Sequence, residues 1–273
     1  RQWSRGLGDV YKRQFIHIIS VHAQYGTRTN ESKIKYSVFN IFWKFILNQS
    51  DGIIAISNKI SSWLIEEHKI NLDLITTVHY GVELHDRDEK LSNNKTIGMA
   101  ARMLPWKGWD RVIDTAVILK EQNVNFNLIF AGSDDINYKK TLIDLVNKKG
   151  IQDYVSFHDH YEMIDDFFSK IDLFLFLSDS EGFGLVVLEA IENNTPVICS
   201  NIAPLSEFVD NTHGTLVDSK NFKEVANLVK KILEDEDFKK EVQKKQKEKI
   251  ISEFSIDIAS SNYENYYIKL LND

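Results

Sequence analysis

The sequence predicts an α/β protein whose parallel sheets are flanked by helices in two domains, and three observations carry this reading. Short apolar runs bounded by polar or turn residues recur between helical patterns, the alternation of parallel sheets with crossover helices. A polar break, Glu83 to Lys95, interrupts that alternation and reads as an interdomain linker. A strand, a glycine loop and a helix follow one another from Leu173 to Glu192, the local arrangement that places a ligand at a sheet's carboxyl edge.

In order, the strand signals are Phe15–Val21, Gly52–Ser57, Leu74–His79, Thr96–Ala100, Asn127–Ala131, Tyr154–His158, Leu173–Leu177 and Pro196–Ser200, with helices in the gaps. Beyond Asp218 the strands stop. A charged helical stretch runs through Lys249, and Ser255 to Asp273 carries Tyr, Ile and Leu at helical spacing. The lysines of the charged stretch are interleaved with acids, which makes it a solvated helix face rather than a membrane or nucleic-acid patch. Residues 1–14 have no apolar period and read as a non-native leader resembling translated adapter sequence. On that reading native residues are missing before Phe15. The expected domains are 15–84, an incomplete first domain, and 85–254, the larger one, with 255–273 as a terminal helix.

Composition narrows the partners. Hydrophobic residues make up 43% of the 273, enough to bury a core and to argue against general disorder. A net charge of −7 argues against nucleic acid as the partner. The single cysteine, Cys199, cannot form an internal disulfide and points to a reducing, cytoplasmic setting, where it behaves as a small hydrophobe. No apolar run reaches the roughly 18 residues a membrane span needs, and no signal sequence opens the chain.

The most informative segment is Ser180-Glu-Gly-Phe-Gly-Leu-Val-Val-Leu-Glu-Ala-Ile-Glu. Gly182 and Gly184 would let backbone approach a ligand, and the helix beginning near Gly184 would point free N–H groups at a phosphate. No third glycine follows in register, so this is not the dinucleotide fingerprint and an NAD site is disfavoured. Glu189 falls within an almost wholly apolar helix and must meet either a protein cation or a ligand hydroxyl. Eight positions of helix would set Glu181 and Glu189 roughly 12 Å apart. That is wider than the roughly 5–9.5 Å separating the carboxyls of a glycosidase, and it suits the two ends of an elongated ligand such as a nucleotide sugar.

A second cluster, Gly98-Met-Ala-Ala-Arg102-Met-Leu-Pro-Trp-Lys107-Gly108, ends a strand in a cationic turn before a helix from about Trp109. Arg102 and Lys107 are either solvated surface cations or a fork and a point charge for phosphate oxygens. No metal site is persuasive: His158-Asp-His160 continues a strand into a loop, while Asp134-Asp135 and Asp165-Asp166 read as helix-start acids rather than Mg²⁺ ligands. No cofactor is expected.

Arg102, then Lys107-Gly108, then Glu181-Gly-Phe-Gly184 with Glu189 after seven intervening residues resembles family 4 of the retaining GT-B glycosyltransferases, the glycosyl transferases group 1, over roughly Phe15 to Asp273. The resemblance implies GT-B architecture: two Rossmann-like domains with parallel sheets, here with the first incomplete and the terminal helix crossing back onto it. It implies that Arg102 and Lys107 hold the donor diphosphate, that Glu189 receives the ribose hydroxyls and that Glu181 contacts the donor sugar. Gly182 and the backbone at Phe183, Gly184 and Leu185 touch sugar and phosphate on the same reading. His22, ending the first strand, matches a position beside the transferred sugar. Ser57 and Gly81 match family positions with roles as a helix cap and a turn.

The implied activity is retaining transfer of a hexose from a nucleoside diphosphate sugar to a hydroxyl of a glycan or glycolipid precursor. It would run in the cytoplasm, with peripheral membrane association at the inner face through the acceptor. Two other readings stay open, a nucleotide-sugar-binding module without catalysis and a nucleotide-sugar epimerase of the same fold. The missing glycine-rich loop after the first strand bears on whether the fragment is active.

Overall fold

The computed structural model describes residues 16–24, 33–87, 94–159 and 161–272, with the side chains of 33–39 left aside. The chain divides into two compact units, one taking the residues up to Tyr80 together with Asp257 onward, the other Gly81–Ile256.

The first unit carries a three-stranded parallel sheet in the order β1 (Ile18–Val21), β2 (Gly52–Ala55), β3 (Ile75–Thr77). Helix α1 (Lys33–Asn48) connects β1 to β2, and α2 (Asn58–Glu66) follows β2. Ser57 caps α2, its Oγ accepting from the Ile60 N–H at 3.2 Å. Strand β2 is buried along its whole length, as a central parallel strand should be. The C-terminal helix lies over it: Tyr266 packs with Ile54 and Val78, joined by Ile18, Tyr263 and Leu270. A Cβ at Gly52 would stand 2.2 Å from the Tyr266 hydroxyl, so the strand must begin with glycine for that ring to settle. Of the first predicted strand, Phe15 lies outside the described residues, as does the whole 1–14 leader.

The second unit is a six-stranded, all-parallel sheet in the order β6-β5-β4-β7-β8-β9. Its elements in chain order are β4 (Thr96–Ala100), α3 (Trp109–Glu121), β5 (Asn127–Ala131), α4 (Tyr138–Lys149), β6 (Val155–His158), α5 (Ile164–Phe168) and β7 (Leu173–Phe176). They continue with α6 (Leu185–Glu192), β8 (Val197–Ser200), α7 (Leu205–Phe208), β9 (Leu216–Val217), α8 (Phe222–Glu234) and α9 (Glu236–Glu253); α10 (Ile256–Asn272) follows and belongs to the first unit from Asp257 on. Strands β4, β7 and β8 are buried at every residue, which is why they read as unbroken apolar runs rather than alternating ones. Cys199 sits inside β8, fully buried, with its thiol pushed up by desolvation. The chain starts at β4 in the middle, builds outward through β5 and β6, then returns to the other side of β4 with β7. That reversal is the topological switch point where open α/β sheets bind ligands.

Two details correct the sequence reading. Gly81 is not in a turn. It directly precedes an isolated parallel bridge between Val82 and Ser255, and a Cβ there would stand 2.4 Å from the Ser255 carbonyl oxygen. Strand β9 is additional: two residues with no apolar run to announce them, held to β8 through Cys199–Leu216 and Ser200–Val217. Of the stretch expected as a linker, 88–93 lie outside the described residues, while His85 and Arg87 are bound to helix α6.

The helical end of the unit is fixed by a buried side-chain amide. Gln246 of α9 accepts from the Val197 N–H at 2.9 Å and donates to the Val197 carbonyl at 2.8 Å and to Thr215 Oγ1 at 3.2 Å. The start of β8 is thereby bound to a helix rather than left with unpaired backbone groups.

Candidate active site

A cavity of about 660 Å³ opens at the carboxyl ends of β4, β5 and β7, at the switch point. Arg102 and Lys107 enter it from the turn after β4, Glu181, Gly184 and Leu185 from the loop after β7, and Glu189 from the body of α6. Two glycines shape the turns that carry these residues. Gly108, at φ 86°, turns the chain from Lys107 into α3, and a Cβ there would lie 2.0 Å from the Leu177 carbonyl oxygen. Gly184, at φ 96°, caps α6, and a Cβ there would lie 2.5 Å from Leu205 Cδ2. Both positions demand glycine twice over, by left-handed backbone and by space.

Helix α6 opens with no side-chain cap, and Gly184, Leu185 and Val186 line the cavity. The first-turn N–H groups and the positive end of the helix dipole are thus set where an anion would lie. Arg102 is exposed, and among the described residues its guanidinium has no carboxylate partner. Its backbone is held, the carbonyl accepting from the indole N–H of fully buried Trp109 at 3.4 Å. Lys107 is engaged: its Nζ donates to both carboxylate oxygens of Glu181, each at 2.8 Å, and lies 5.8 Å from the centre of the Phe176 ring.

Glu189 and Glu192 divide the roles expected of one residue. The sequence reading asked for a partner to a buried Glu189. The carboxylate that is buried and paired is Glu192, one turn on, which receives the Arg87 fork at 2.8–3.0 Å and the His85 N–H at 3.0 Å. The Arg87 and His85 bonds hold its carboxyl below the usual glutamate range against the opposing effect of burial. Glu189 is half-buried at the cavity wall, and among the described residues no cation or donor meets its carboxylate. Desolvation, and then the neighbouring Asp165 charge, push its pKa upward. An unpaired acceptor of this kind fits a ligand hydroxyl.

Phe183 is buried and stacked on Phe208, ring centres 5.1 Å apart, and with Gly182 it flanks the cavity without lining it. His22 belongs to the first unit, where its Nδ1 is hydrogen-bonded to the Tyr80 hydroxyl and the two rings stack. Among the described residues, no group of three or more His, Cys, Asp or Glu side chains is placed to hold a metal ion. His160 lies outside the described residues. Asp134 accepts from the Tyr138 and Lys139 N–H groups at 2.6 and 3.1 Å, capping α4. Sequence reasoning passed over Ala131, Gly132 and Ser133 at the end of β5 and the loop Tyr161–Ile164, which complete the wall. The first was signalled by a glycine at a strand end; the second carries no such mark.

The second unit is thus a doubly wound domain that gathers two cations, a helix terminus without a side-chain cap and, among the described residues, a carboxylate with no cation or donor around one cavity at its switch point. The chain belongs to the family described as glycosyl transferases group 1, whose model matches residues 82–249. It is similar to the lipopolysaccharide core biosynthesis mannosyltransferase LpsB of Rhizobium meliloti, 26% identical over 61% of this chain and 50% of that protein. It is also similar to the capsular polysaccharide biosynthesis glycosyltransferase CapM of Staphylococcus aureus, 24% identical over 93% of this chain and 71% of that protein. Against LpsB and the Escherichia coli O-antigen biosynthesis glycosyltransferase WclY, 30% identical over 65% of this chain, it spans about half of their length. Among solved structures, Anabaena HepE in complex with UDP and glucose superposes with a TM-score of 0.81 at 18% identity, covering 97% of this chain and 74% of that one. The GT-B fold, α/β with parallel sheets, is shared. Among the described residues no helix is long and apolar enough to cross a membrane.

Proposed function

We propose that this chain carries the donor site of a retaining glycosyltransferase that moves a hexose from a nucleoside diphosphate sugar to a hydroxyl of a glycan or glycolipid precursor, in bacterial polysaccharide biosynthesis. The observation that carries the reading is the convergence on one cavity of Arg102, Lys107, the start of α6 and Glu189, whose carboxylate meets no cation or donor among the described residues. The donor diphosphate lies against the N–H groups of Gly184 and Leu185 with Arg102 and Lys107 on its oxygens, and Glu189 accepts the ribose hydroxyls. Lys107 turns from Glu181 to phosphate on binding, which leaves the Glu181 carboxylate to accept from sugar hydroxyls.

In the transfer, the bond from the anomeric carbon to the β-phosphate oxygen breaks and one to the acceptor oxygen forms on the same face. The acceptor's proton passes to the leaving phosphate, and both cations stabilise the charge that gathers there. A glycolipid acceptor would bring the protein to the inner face of the cytoplasmic membrane.

Titrating the chain with UDP, GDP and ADP tests the assignment. One nucleotide should bind saturably, and Lys107→Ala and Glu189→Ala should each weaken it. Equal binding by both variants and the parent would remove these residues from the site.

A further inference from the structure

Arg87 lies outside every motif in the sequence, yet it is the hub of a polar cluster beside the site. Its guanidinium reaches Glu192 at the end of α6 through Nε and Nη2, at 2.8–3.0 Å, and Asp165 in the first turn of α5 through Nη2 at 3.0 Å. Asn193 closes the ring, its amide donating to Asp165 Oδ1 at 3.0 Å and to Glu192 Oε2 at 3.3 Å, while the Asn194 amide donates to the Arg87 carbonyl at 3.4 Å. The Glu192 side chain is only 3% exposed, so the pair is shielded and geometrically defined rather than a solvated surface contact.

Beside this cluster is a second cavity of about 230 Å³, lined by His85, Arg87, Asp165 and Glu192. Ile164, Leu185 and Glu189 line both cavities, so Glu189 stands in the wall between them. Glu189 is three residues before Glu192, on the same face of α6. What holds Glu192 and Asp165 together therefore bears on where the Glu189 carboxylate stands, and of the two side chains that bridge them, Arg87 and Asn193, only Arg87 brings a charge.

We infer that Arg87 is a positioning residue for the nucleotide: by clamping Glu192 of α6 to Asp165 of α5, it fixes the wall that presents Glu189 to the donor. The inference rests on the donor-site reading above. Lysine cannot replace the fork, since a single ammonium carries the charge but not the two-carboxylate geometry.

A double-mutant cycle on nucleotide affinity tests it, with UDP, GDP and ADP as probes and circular dichroism to establish that each variant is folded. Arg87→Ala should weaken the bound nucleotide about tenfold in the parent, and no more than about twofold in a Glu189→Ala background, because the loss runs through Glu189. Arg87→Lys, the milder change, should fall between and should show the same dependence on Glu189. Equal losses in both backgrounds, or undiminished affinity in folded Arg87→Lys and Arg87→Ala, would overturn the inference while leaving the donor site intact. Should Arg87→Ala not fold, Arg87→Lys decides by the same comparison. Should the parent bind none of the three nucleotides, or Glu189→Ala bind as well as the parent, the donor-site reading falls and this inference with it.

Discussion

Lys107 and Glu181 form a two-pronged ion pair inside the cavity, Nζ 2.8 Å from each carboxylate oxygen, with the side chains only 15% and 7% exposed. On the proposed donor-site reading, the pair occupies the cation that would hold the diphosphate, so ligand binding would break it. Glu181→Gln keeps the shape and removes the competing charge. Nucleoside diphosphate affinity should rise about fivefold, the equivalent of ~1 kcal/mol. Transfer from the intact sugar donor should fall, because the freed carboxylate is the proposed partner of the sugar hydroxyls. Calorimetric titration beside a transfer assay separates the two, and weaker nucleotide binding by the variant would show that Glu181 supports Lys107 rather than competing for it.

Gly184→Ala puts a methyl group 2.5 Å from Leu205 Cδ2 at a left-handed φ of 96°. The loop must move or the strain must stay. A loss of about 1–3 kcal/mol in urea unfolding is expected, together with weaker nucleotide binding, since the α6 terminus shifts. Unchanged stability would mean that the turn accommodates a side chain, against its geometry.

Strands β4, β7 and β8 of the second unit were legible because they are buried at every residue, whereas the two-residue β9 was not legible. Thr96–Ala100 and Asn127–Ala131 begin and end where the apolar runs do, and the others lose only a terminal residue. That Arg102, Lys107, Glu181, Gly184 and Leu185 share one cavity was legible for a related reason: they lie in the loops after β4 and β7 and at the start of α6, and strand ends of one parallel sheet converge. What was not legible depends on distance along the chain. Arg87 meets Glu192 and Asp165 across 105 and 78 residues, and no local period shows such a meeting. For the same reason, an almost wholly apolar helix bearing Glu189 and Glu192 does not reveal which of the two acids Arg87 pairs.

Gln246→Leu tests the join between α9 and β8. The glutamine is 1% exposed and serves the Val197 N–H, the Val197 carbonyl and the Thr215 hydroxyl. Leucine fills the volume but leaves these groups without a side-chain partner in a buried place. Unfolding should become easier by about 2–3 kcal/mol, read from urea midpoints at constant m-value. A smaller change would mean that water or neighbouring backbone takes over the bonds.

Glu189 gives stability and binding opposite dependences on pH. Burial first, and the Asp165 charge second, raise its pKa above the ordinary glutamate range in the folded protein. Between the ordinary value and the raised one, the folded state therefore holds a proton that the unfolded state has released. This residue's contribution to stability falls as pH rises through that window and is level above it. Asp165 and Glu192, whose pKa values are lowered, work in the other direction, adding stability above the ordinary carboxylate range that is lost on acidification. Comparing the parent with Glu189→Gln cancels them. The variant should melt at a higher temperature than the parent at neutral pH, and the gap should close as pH falls below the ordinary glutamate range. Nucleotide affinity should run the other way: the ionised carboxylate is the better acceptor for ribose hydroxyls, so the parent's affinity should rise through the same window while the variant's stays flat. Thermal melts and titrations from acid to neutral pH give both curves, and a variant that melts no higher than the parent at neutral pH would mean that the Glu189 charge is already compensated in the folded protein.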